Sequence, residues 1–325
     1  MKKINELYQK PQRKETVLQF GEGGFLRGFV DWMLQKLNDS GRYEGGVVVV
    51  QPIEKGLCEK LGEQECMYTH VMRGIKDGRL VVDKAVVDVI CRCVNPYENY
   101  QAYLKLAENP DLRVIVSNTT EAGIDYRPQD RLSDAPPVSY PAKLTALLYK
   151  RFTSSLNGFV LLPCELIDRN GEKLKEIVLN YAHNWDLGQD FIDWIERENH
   201  FCNTLVDRIV TGHPADEDLK LEYDDPMSDT SELFHLWVIQ GDPALAKELP
   251  FDKVGLNAVS YTHLKFAEGY IEYLNGVDHE KDEAFNDLHA LFGMTCALAE
   301  LQQALPGMLT TDRPLKLVLD RRPFI

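Results

Sequence analysis

Hydrophobic positions along this chain recur with two periods, and the two alternate through its first half. Thr16–Phe20 is a short apolar run that predicts a strand. Phe25–Leu37 then places Phe25, Leu26, Phe29, Trp32, Met33 and Leu37 at helical spacing. The segment GVVVVQ (46–51) is β-branched and apolar throughout, the pattern of a strand buried on both faces of a parallel sheet. Tyr68–Ile90 predicts two or three strands, with Lys76-Asp77-Gly78 as a hairpin turn. Tyr97–Ala107 predicts a helix that stops before Pro110, and RVIVS (113–117) and GFVLLP (158–163) predict two more buried strands. Tyr126–Pro141, rich in proline and aspartate, predicts a surface loop.

Strands alternating with helices imply an α/β fold: a Rossmann-type, doubly wound, mostly parallel sheet. After about Gly171 the pattern changes. Lys173–His183, Phe191–Arg197 and Cys202–Val210 predict helices, and strand signals thin out. The expected organisation is a nucleotide-binding domain over 1–170 and a mostly helical substrate domain over 171–325.

At 325 residues the chain has room for two domains, and no apolar run is long enough to span a membrane. MKKINELYQKPQRKE has no apolar core after its lysines, so it does not read as a secretion signal. A net charge of −15 argues against nucleic acid as a partner. Seven scattered cysteines (58, 66, 91, 93, 164, 202, 296) include only one C-x-C and no zinc-spaced pair. They imply a reduced, cytoplasmic protein without a structural metal.

The chemistry concentrates in VLQFGEGGFLRG, residues 17–28. A strand runs into Gly21 and Gly23 and then into a helix. In a dinucleotide fold the first glycine makes the tight turn and the second lets the backbone approach a pyrophosphate, which the helix N-terminus then attracts. The third glycine of that fingerprint is replaced by Leu26, so an ordinary glycine-rich turn stays open as a reading. The second strand ends in Gln51-Pro52, with Glu54 shortly after. Gln51 can still accept from a ribose hydroxyl. No arginine stands there to hold a 2′-phosphate, which favours NAD over NADP.

Six stretches together carry a resemblance: 19–32, VVVVQPIE (47–54), SNTTEAGI (117–124), VSYPAKLT (138–145), PCELIDRNG (163–171) and FCNTLVDRIVTG (201–212). Over about 17–259 the chain resembles the mannitol dehydrogenase family of long-chain polyol dehydrogenases, whose glycine turn reads G-x-G-x-F-x-R. SNTTEAGI with PCELIDRNG resembles its uronate-reducing members. The resemblance implies a metal-independent NAD-dependent oxidoreductase of hexuronate breakdown, in which NADH reduces tagaturonate to altronate and NAD⁺ serves the reverse. It implies coenzyme contacts from Val17, Leu18, Gln19, Phe20, Gly21, Glu22, Gly23, Gly24, Phe25, Leu26, Arg27 and Gly28. Asn118, Thr119 and Glu121 are implied near the nicotinamide, with loop hydrogen bonding and helix capping as the alternative. Asp207 is implied in the substrate pocket. As residues alone, Asp207 and Arg208 read equally as an ion pair in a helix, or Arg208 as a group attracting a substrate carboxylate.

Hydride transfer to a ketone needs a proton donor at the carbonyl oxygen. The family uses K-x4-N-G-x-H on a C-terminal helix, and this chain has no such run. The nearest echo is YIEYLNGVDH (270–279), where Tyr270 replaces the lysine and His279 lies one residue too far beyond Asn275-Gly276. The catalytic residues are therefore unassigned, with Lys253 and Lys265 as lysines to watch. From about Ser260 onward nothing matches, so the second domain is expected to be truncated or divergent there. A non-catalytic nucleotide-binding or interaction protein, with the tail helices as a partner surface, is the alternative. A sister activity on fructuronate or mannitol is another. His213 reads as a helix C-terminal cap and His235 as a core or half-buried histidine.

Overall fold

The computed structural model describes residues 1–76, 79–120, 123–214, 221–241, 247–254 and 258–260. Its first strands are β1 (Glu15–Phe20), β2 (Gly46–Val50), β3 (Tyr68–Lys76), β4 (Arg79–Val87), β5 (Ile90–Val94), β6 (Val114–Ser117), β7 (Val160–Pro163) and β8 (His200–Phe201). Six of them form one sheet in the order β5-β2-β1-β6-β7-β8, with every neighbouring pair parallel. Leaving out the β3–β4 hairpin, this is the strand order of two joined mononucleotide-binding halves. Its switch point lies beside β1, where the chain turns from building one side of the sheet to the other.

Alternate strand residues feed two separate cores, which is why these strands read as unbroken apolar runs. Val17, Val47, Val49, Val114, Val116, Val160 and Leu162 pack on one face, with Leu26, Phe29, Met33 and Leu37. Leu18, Phe20, Val48, Val50, Ile115 and Leu161 pack on the other, with Leu144, Leu148, Leu174, Val178, Phe191 and Ile195. Each fully buried valine or leucine adds roughly 1.5–3 kcal/mol of transfer free energy.

The helices are α1 (Gly24–Leu26), a π-helical stretch over Arg27–Asp31, α2 (Trp32–Asp39), α3 (Cys58–Glu63), α4 (Tyr100–Lys105), α5 (Tyr140–Thr153), α6 (Asn170–Asn184) and α7 (Gln189–Glu198). The predicted strands and helices up to residue 198 all have counterparts here. Local chemistry sets several ends. Ser139 caps α5 by accepting from the Ala142 N–H, a proline occupies its first turn, and Lys150 and Arg151 complement its C-terminal end.

The second half departs from expectation. Cys202–Val210 is not helical: β9 (Asn203–Asp207) and β10 (Val210–Gly212) occupy it. β11 (Asp229–Glu232), β12 (Leu236–Gln240) and β13 (Ala258–Ser260) follow. They build a sheet β10-β11-β3-β4 and another β13-β12-β9. TLVDRIV satisfies helical spacing locally, but Asn170 takes both backbone groups of Thr204, and β12 pairs with the whole strand from Asn203 to Asp207. Those partners are remote in sequence, so they outweigh the local pattern.

The sheet also continues past residue 170. β8 is its sixth strand, α6 and α7 cover one of its cores, and the described residues belong to one compact unit. Among the described residues between 171 and 260, the helical character expected there is carried by α6, α7 and a short 3-10 turn at Phe251–Val254, and the rest is strand or loop. Residues 77–78 of the predicted hairpin turn and all of 261–325 lie outside the described residues. Among the described residues no helix is long and apolar enough to cross a membrane.

Candidate functional site

The carboxyl ends of β1, β2 and β6 open onto a cleft of about 500 Å³. This is the crevice where ligands bind in open parallel sheets. Its floor is the Gly21–Gly23 turn. Gly21 donates its N–H to the Val50 carbonyl, 3.1 Å away, and has φ +122°, a left-handed conformation that favours glycine. A Cβ there would lie 2.9 Å from the Asn118 carbonyl oxygen and 3.2 Å from Leu26 Cδ1. Gly23 caps the following helix without a side chain, and a Cβ on it would meet nothing within 4 Å.

One wall follows β2. Gln51, buried at the strand's end, donates to the Ile53 and Glu54 carbonyls at 2.9 and 3.0 Å, and its carbonyl faces the Cys58 N–H. It is spent on shaping the 52–57 loop and is not among the residues that line the cleft. Glu22 reaches across and accepts from the Leu57 N–H at 3.0 Å. Burial raises its pKa, with that hydrogen bond opposing. Glu54 is exposed, whereas Lys55, Gly56 and Leu57 line the cleft.

The opposite wall follows β6. Asn118 donates to the Cys164 carbonyl at 2.8 Å. Glu165, only 2% exposed, accepts from Ser117 Oγ, the Thr119 N–H and Thr119 Oγ1 at 2.9–3.0 Å. Burial raises the Glu165 pKa and these donors oppose it. The carboxylate therefore clamps the loop that carries Asn118 and Thr119. Glu165→Ala is expected to weaken NADH binding at least tenfold, because hydrogen bonds to a charged acceptor are worth about 1.5–3 kcal/mol. Glu165→Gln, which keeps an acceptor for Thr119, should fall between. Fluorescence titration with NADH measures both, and unchanged affinity in Glu165→Ala would remove the clamp from the site.

Ser139 and Tyr140 at the start of α5 complete the rim. Asp130 holds this corner by accepting from Ser139 Oγ at 2.6 Å and from the Val138 and Ser139 N–H groups. Burial pushes the Asp130 pKa up, but these donors outweigh it and leave it below the ordinary value.

Only part of the 17–28 segment faces the cleft. Gly21, Glu22 and Gly23 line it. Val17, Leu18, Gln19 and Phe20 are fully buried in the sheet, and Leu26 packs under the turn. Gly24 faces Asp229, and Phe25 stacks on Phe29 at 5.1 Å. Gly28 lets β10 approach, a Cβ there meeting Val210 Cγ1 at 3.0 Å. That contact, with the π-helical stretch starting at Arg27, is how this helix packs without the third glycine.

Arg27 does not point at the cleft. It donates to the Met227 carbonyl, lies 3.9 Å from Asp229 Oδ2 and sits over the Tyr68 ring. Two carboxylates share this buried network. Burial drives Asp31 to about 7 against hydrogen bonds from Gln19 and Tyr68, and Asp229 to about 6 against the Arg27 charge.

Thr119 and Asn118 line the cleft, and Glu121 lies outside the described residues. Asp207 ends β9, half-buried, opposite Leu236. Arg208 is not available to a substrate carboxylate: it donates to the Gly28 and Glu232 carbonyls and stacks 4.1 Å over Trp32. His213 is no helix cap; it follows β10 and shares a hydrogen bond with Ser228 Oγ at 2.7 Å. His235 is half-buried against Trp32, as its apolar neighbours suggest. Lys265 and the 270–279 echo fall outside the described residues, and nothing is described of the Lys253 side chain.

A model described as the mannitol dehydrogenase Rossmann domain matches residues 15–253. This chain belongs to the mannitol dehydrogenase family. Among curated members, altronate oxidoreductase of Escherichia coli O7:K1 (strain IAI39 / ExPEC) is 46% identical over 287 residues, covering 85% of this chain and 59% of the relative. Altronate oxidoreductase of Shigella flexneri is 47% identical over 288 residues, with the same coverage. The chain thus spans about 59% of the length of these family members.

Two solved structures share the fold. Pseudomonas fluorescens mannitol 2-dehydrogenase, in a ternary complex with NAD and D-mannitol, matches with TM-score 0.70 at 20% identity, covering 96% of this chain and 70% of that one. A substrate-free D-sorbitol dehydrogenase matches with TM-score 0.64 at 22% identity, covering 80% and 59%.

Among the cleft-lining residues that pattern reading missed are Lys55, Gly56, Leu57, Arg127, Val138, Ser139 and Tyr140. The only available signal was the stretch 138–145, whose Ser-Tyr-Pro marks a capped helix start beside the sheet's carboxyl edge.

Proposed function

We propose that this chain is an NAD-dependent oxidoreductase that interconverts tagaturonate and altronate in the breakdown of hexuronates. The observation that carries it is the Gly21–Gly23 turn opening into the cleft at the switch point of an all-parallel sheet. The 46–47% identity to altronate oxidoreductases supports the substrate.

The cleft fits a dinucleotide. At about 500 Å³ it lies within the range of small-molecule sites, and Gly23 leaves open the space where a side chain would fend off a pyrophosphate. When bound, NADH supplies the hydride that reduces the ketone. The helix start at Gly23–Gly24, which no side chain caps, would face the diphosphate, since free N–H groups at a helix N-terminus favour anions. Asn118 and Thr119, held by Cys164 and Glu165, would orient the nicotinamide end. Asp207 would contact substrate hydroxyls. The proton donor to the substrate oxygen is not assigned to a residue.

NADH fluorescence enhancement, followed by tagaturonate-dependent loss of absorbance, tests the reading in two steps. Binding with turnover is expected. Binding without turnover would favour a non-catalytic coenzyme-binding protein, and absence of binding would overturn the site itself. A panel with fructuronate and fructose separates the sister activities. Asp207→Asn is expected to raise KM for tagaturonate several-fold while leaving NADH affinity unchanged. Equal KM values would remove Asp207 from the pocket.

A further inference from the structure

A second and larger cleft, about 780 Å³, lies along the outer edge of β5, away from the switch point. Four of the chain's seven cysteines line it: Cys58, Cys66, Cys91 and Cys93. We propose that Cys66 and Cys93 form a peroxide-responsive dithiol that closes to an intramolecular disulfide. The proposal is independent of which substrate the coenzyme cleft serves.

The geometry brings the two sulfurs together from 27 residues apart. Their Sγ atoms are 3.7 Å apart and hydrogen-bonded. Cys66 follows α3, where Glu65 and Cys66 take φ values of +55° and +59°. This is a left-handed turn that non-glycine residues seldom adopt. The Cys66 N–H, donating to Leu61 O at 2.7 Å, and the Glu65 N–H, donating to Gly62 O at 3.0 Å, hold it. Cys93 stands on β5, the edge strand, half-buried in the cleft wall. A disulfide needs the sulfurs at about 2 Å, so closing the bridge requires them to approach by under 2 Å.

The surroundings favour a thiolate at one sulfur and a thiol at the other. Lys10 Nζ donates to the Glu65 and Cys91 carbonyls at 2.7 and 2.8 Å, which fixes an ammonium among the cysteines. The hydrogen bond from Cys93 brings the Cys66 thiol down to about 7, against its burial and with help from Lys10. Hydrogen bonds with Cys58 and Cys66 push the Cys93 thiol up. A cleft-lining thiol near the Lys10 ammonium, with a second thiol in reach, is the arrangement of an oxidisable pair. Among the described residues no three His, Cys, Asp or Glu side chains are placed to hold a metal ion.

The oxidant is a hydroperoxide, with hydrogen peroxide the simplest. The Cys66 thiolate sulfur attacks one peroxide oxygen and the O–O bond breaks. The departing oxygen leaves as water with a proton from solvent, and Cys66 becomes a sulfenic acid. The Cys93 sulfur then attacks the Cys66 sulfur and the S–O bond breaks. Hydroxide leaves and takes the Cys93 proton as a second water. Two thiols have lost two electrons, and one peroxide has become two waters.

The test treats the reduced full-length chain with a small excess of hydrogen peroxide in native buffer. Thiols are counted after denaturation and bridged peptides are mapped by mass. The expected result is loss of two of seven thiols, one bridge joining Cys66 to Cys93, and full recovery with dithiothreitol. Cys91→Ser should form the same bridge. Cys93→Ser should instead leave Cys66 as a sulfenic acid trapped by dimedone. A bridge from Cys93 to Cys58, a disulfide-linked dimer, or unmodified Cys66 in the wild-type chain would each overturn the proposal.

Discussion

Replacing Gly21 by alanine is expected to abolish NADH binding and to lower stability by roughly 2–6 kcal/mol. Two costs add. The turn's φ of +122° is one that an L side chain rarely adopts, which is worth about 1–3 kcal/mol. The new Cβ would also press on the Asn118 carbonyl and Leu26 Cδ1, and neither can retreat. Asn118 is tied to Cys164, and Leu26 is buried under the helix. Overpacking of this kind costs about 1–3 kcal/mol more. Relief of the clash would move Asn118 and so deform the cleft.

Gly23→Ala is the informative control. Its Cβ would meet no protein atom within 4 Å, and no left-handed φ is required there. Thermal stability should stay close to wild type while NADH affinity falls, because the methyl group projects where a pyrophosphate would lie. Denaturant unfolding and fluorescence titration on both variants separate the two roles. A Gly21→Ala protein that binds NADH like the wild type would end the case for coenzyme at this turn.

The second large effect is a pH dependence centred on Asp31. Burial raises its pKa in the folded protein to about 7, from an ordinary value of 3.8. Below about pH 4 the carboxyl is protonated in both folded and unfolded chains and costs nothing. Between about 4 and 7 the unfolded chain releases the proton and the folded chain keeps it. Stability therefore falls as pH rises across that window, and the loss is complete above it. Asp31→Asn removes the titration. The stability of Asp31→Asn minus that of wild type should climb by on the order of 4 kcal/mol between pH 4 and pH 8, three units at about 1.4 kcal/mol each. Urea unfolding at pH 4, 5, 6, 7 and 8 reads this difference directly. A flat difference would show that Asp31 is ionised in the fold. Asp229, raised by burial to about 6, acts in the same direction and steepens the wild-type curve.

Gly21 lies within the 17–28 stretch and Asp31 three residues beyond it, yet they act differently. Gly21 works at the cleft itself, whereas Asp31 lies behind it with Gln19 and Tyr68. Residues 17–28 were legible as a unit because strand, glycines and helix follow one another in sequence. Which of them touch the cleft was not legible. Arg27 shows why: its partners Met227 and Asp229 are 200 residues downstream, and they draw its guanidinium to the far side of the helix. Arg208 is the same case, pinned by Gly28 and Glu232.

Sequence alone determined the parallel sheet and the place of the glycine turn in its first βα unit. Strands such as 46–50 and 114–117 are apolar on both faces, and only a sheet covered on both sides can bury them. The tertiary structure decided what local pattern leaves open. It made strands of 203–212, because the partners of that segment come from Asn170, β11 and β12. It turned Gln51 and Glu165 into braces for the cleft's two walls, because the backbone groups they satisfy belong to loops that meet only after folding. A hydrogen bond or ion pair depends on where both partners end up in space, and spacing along the chain reports only one of them.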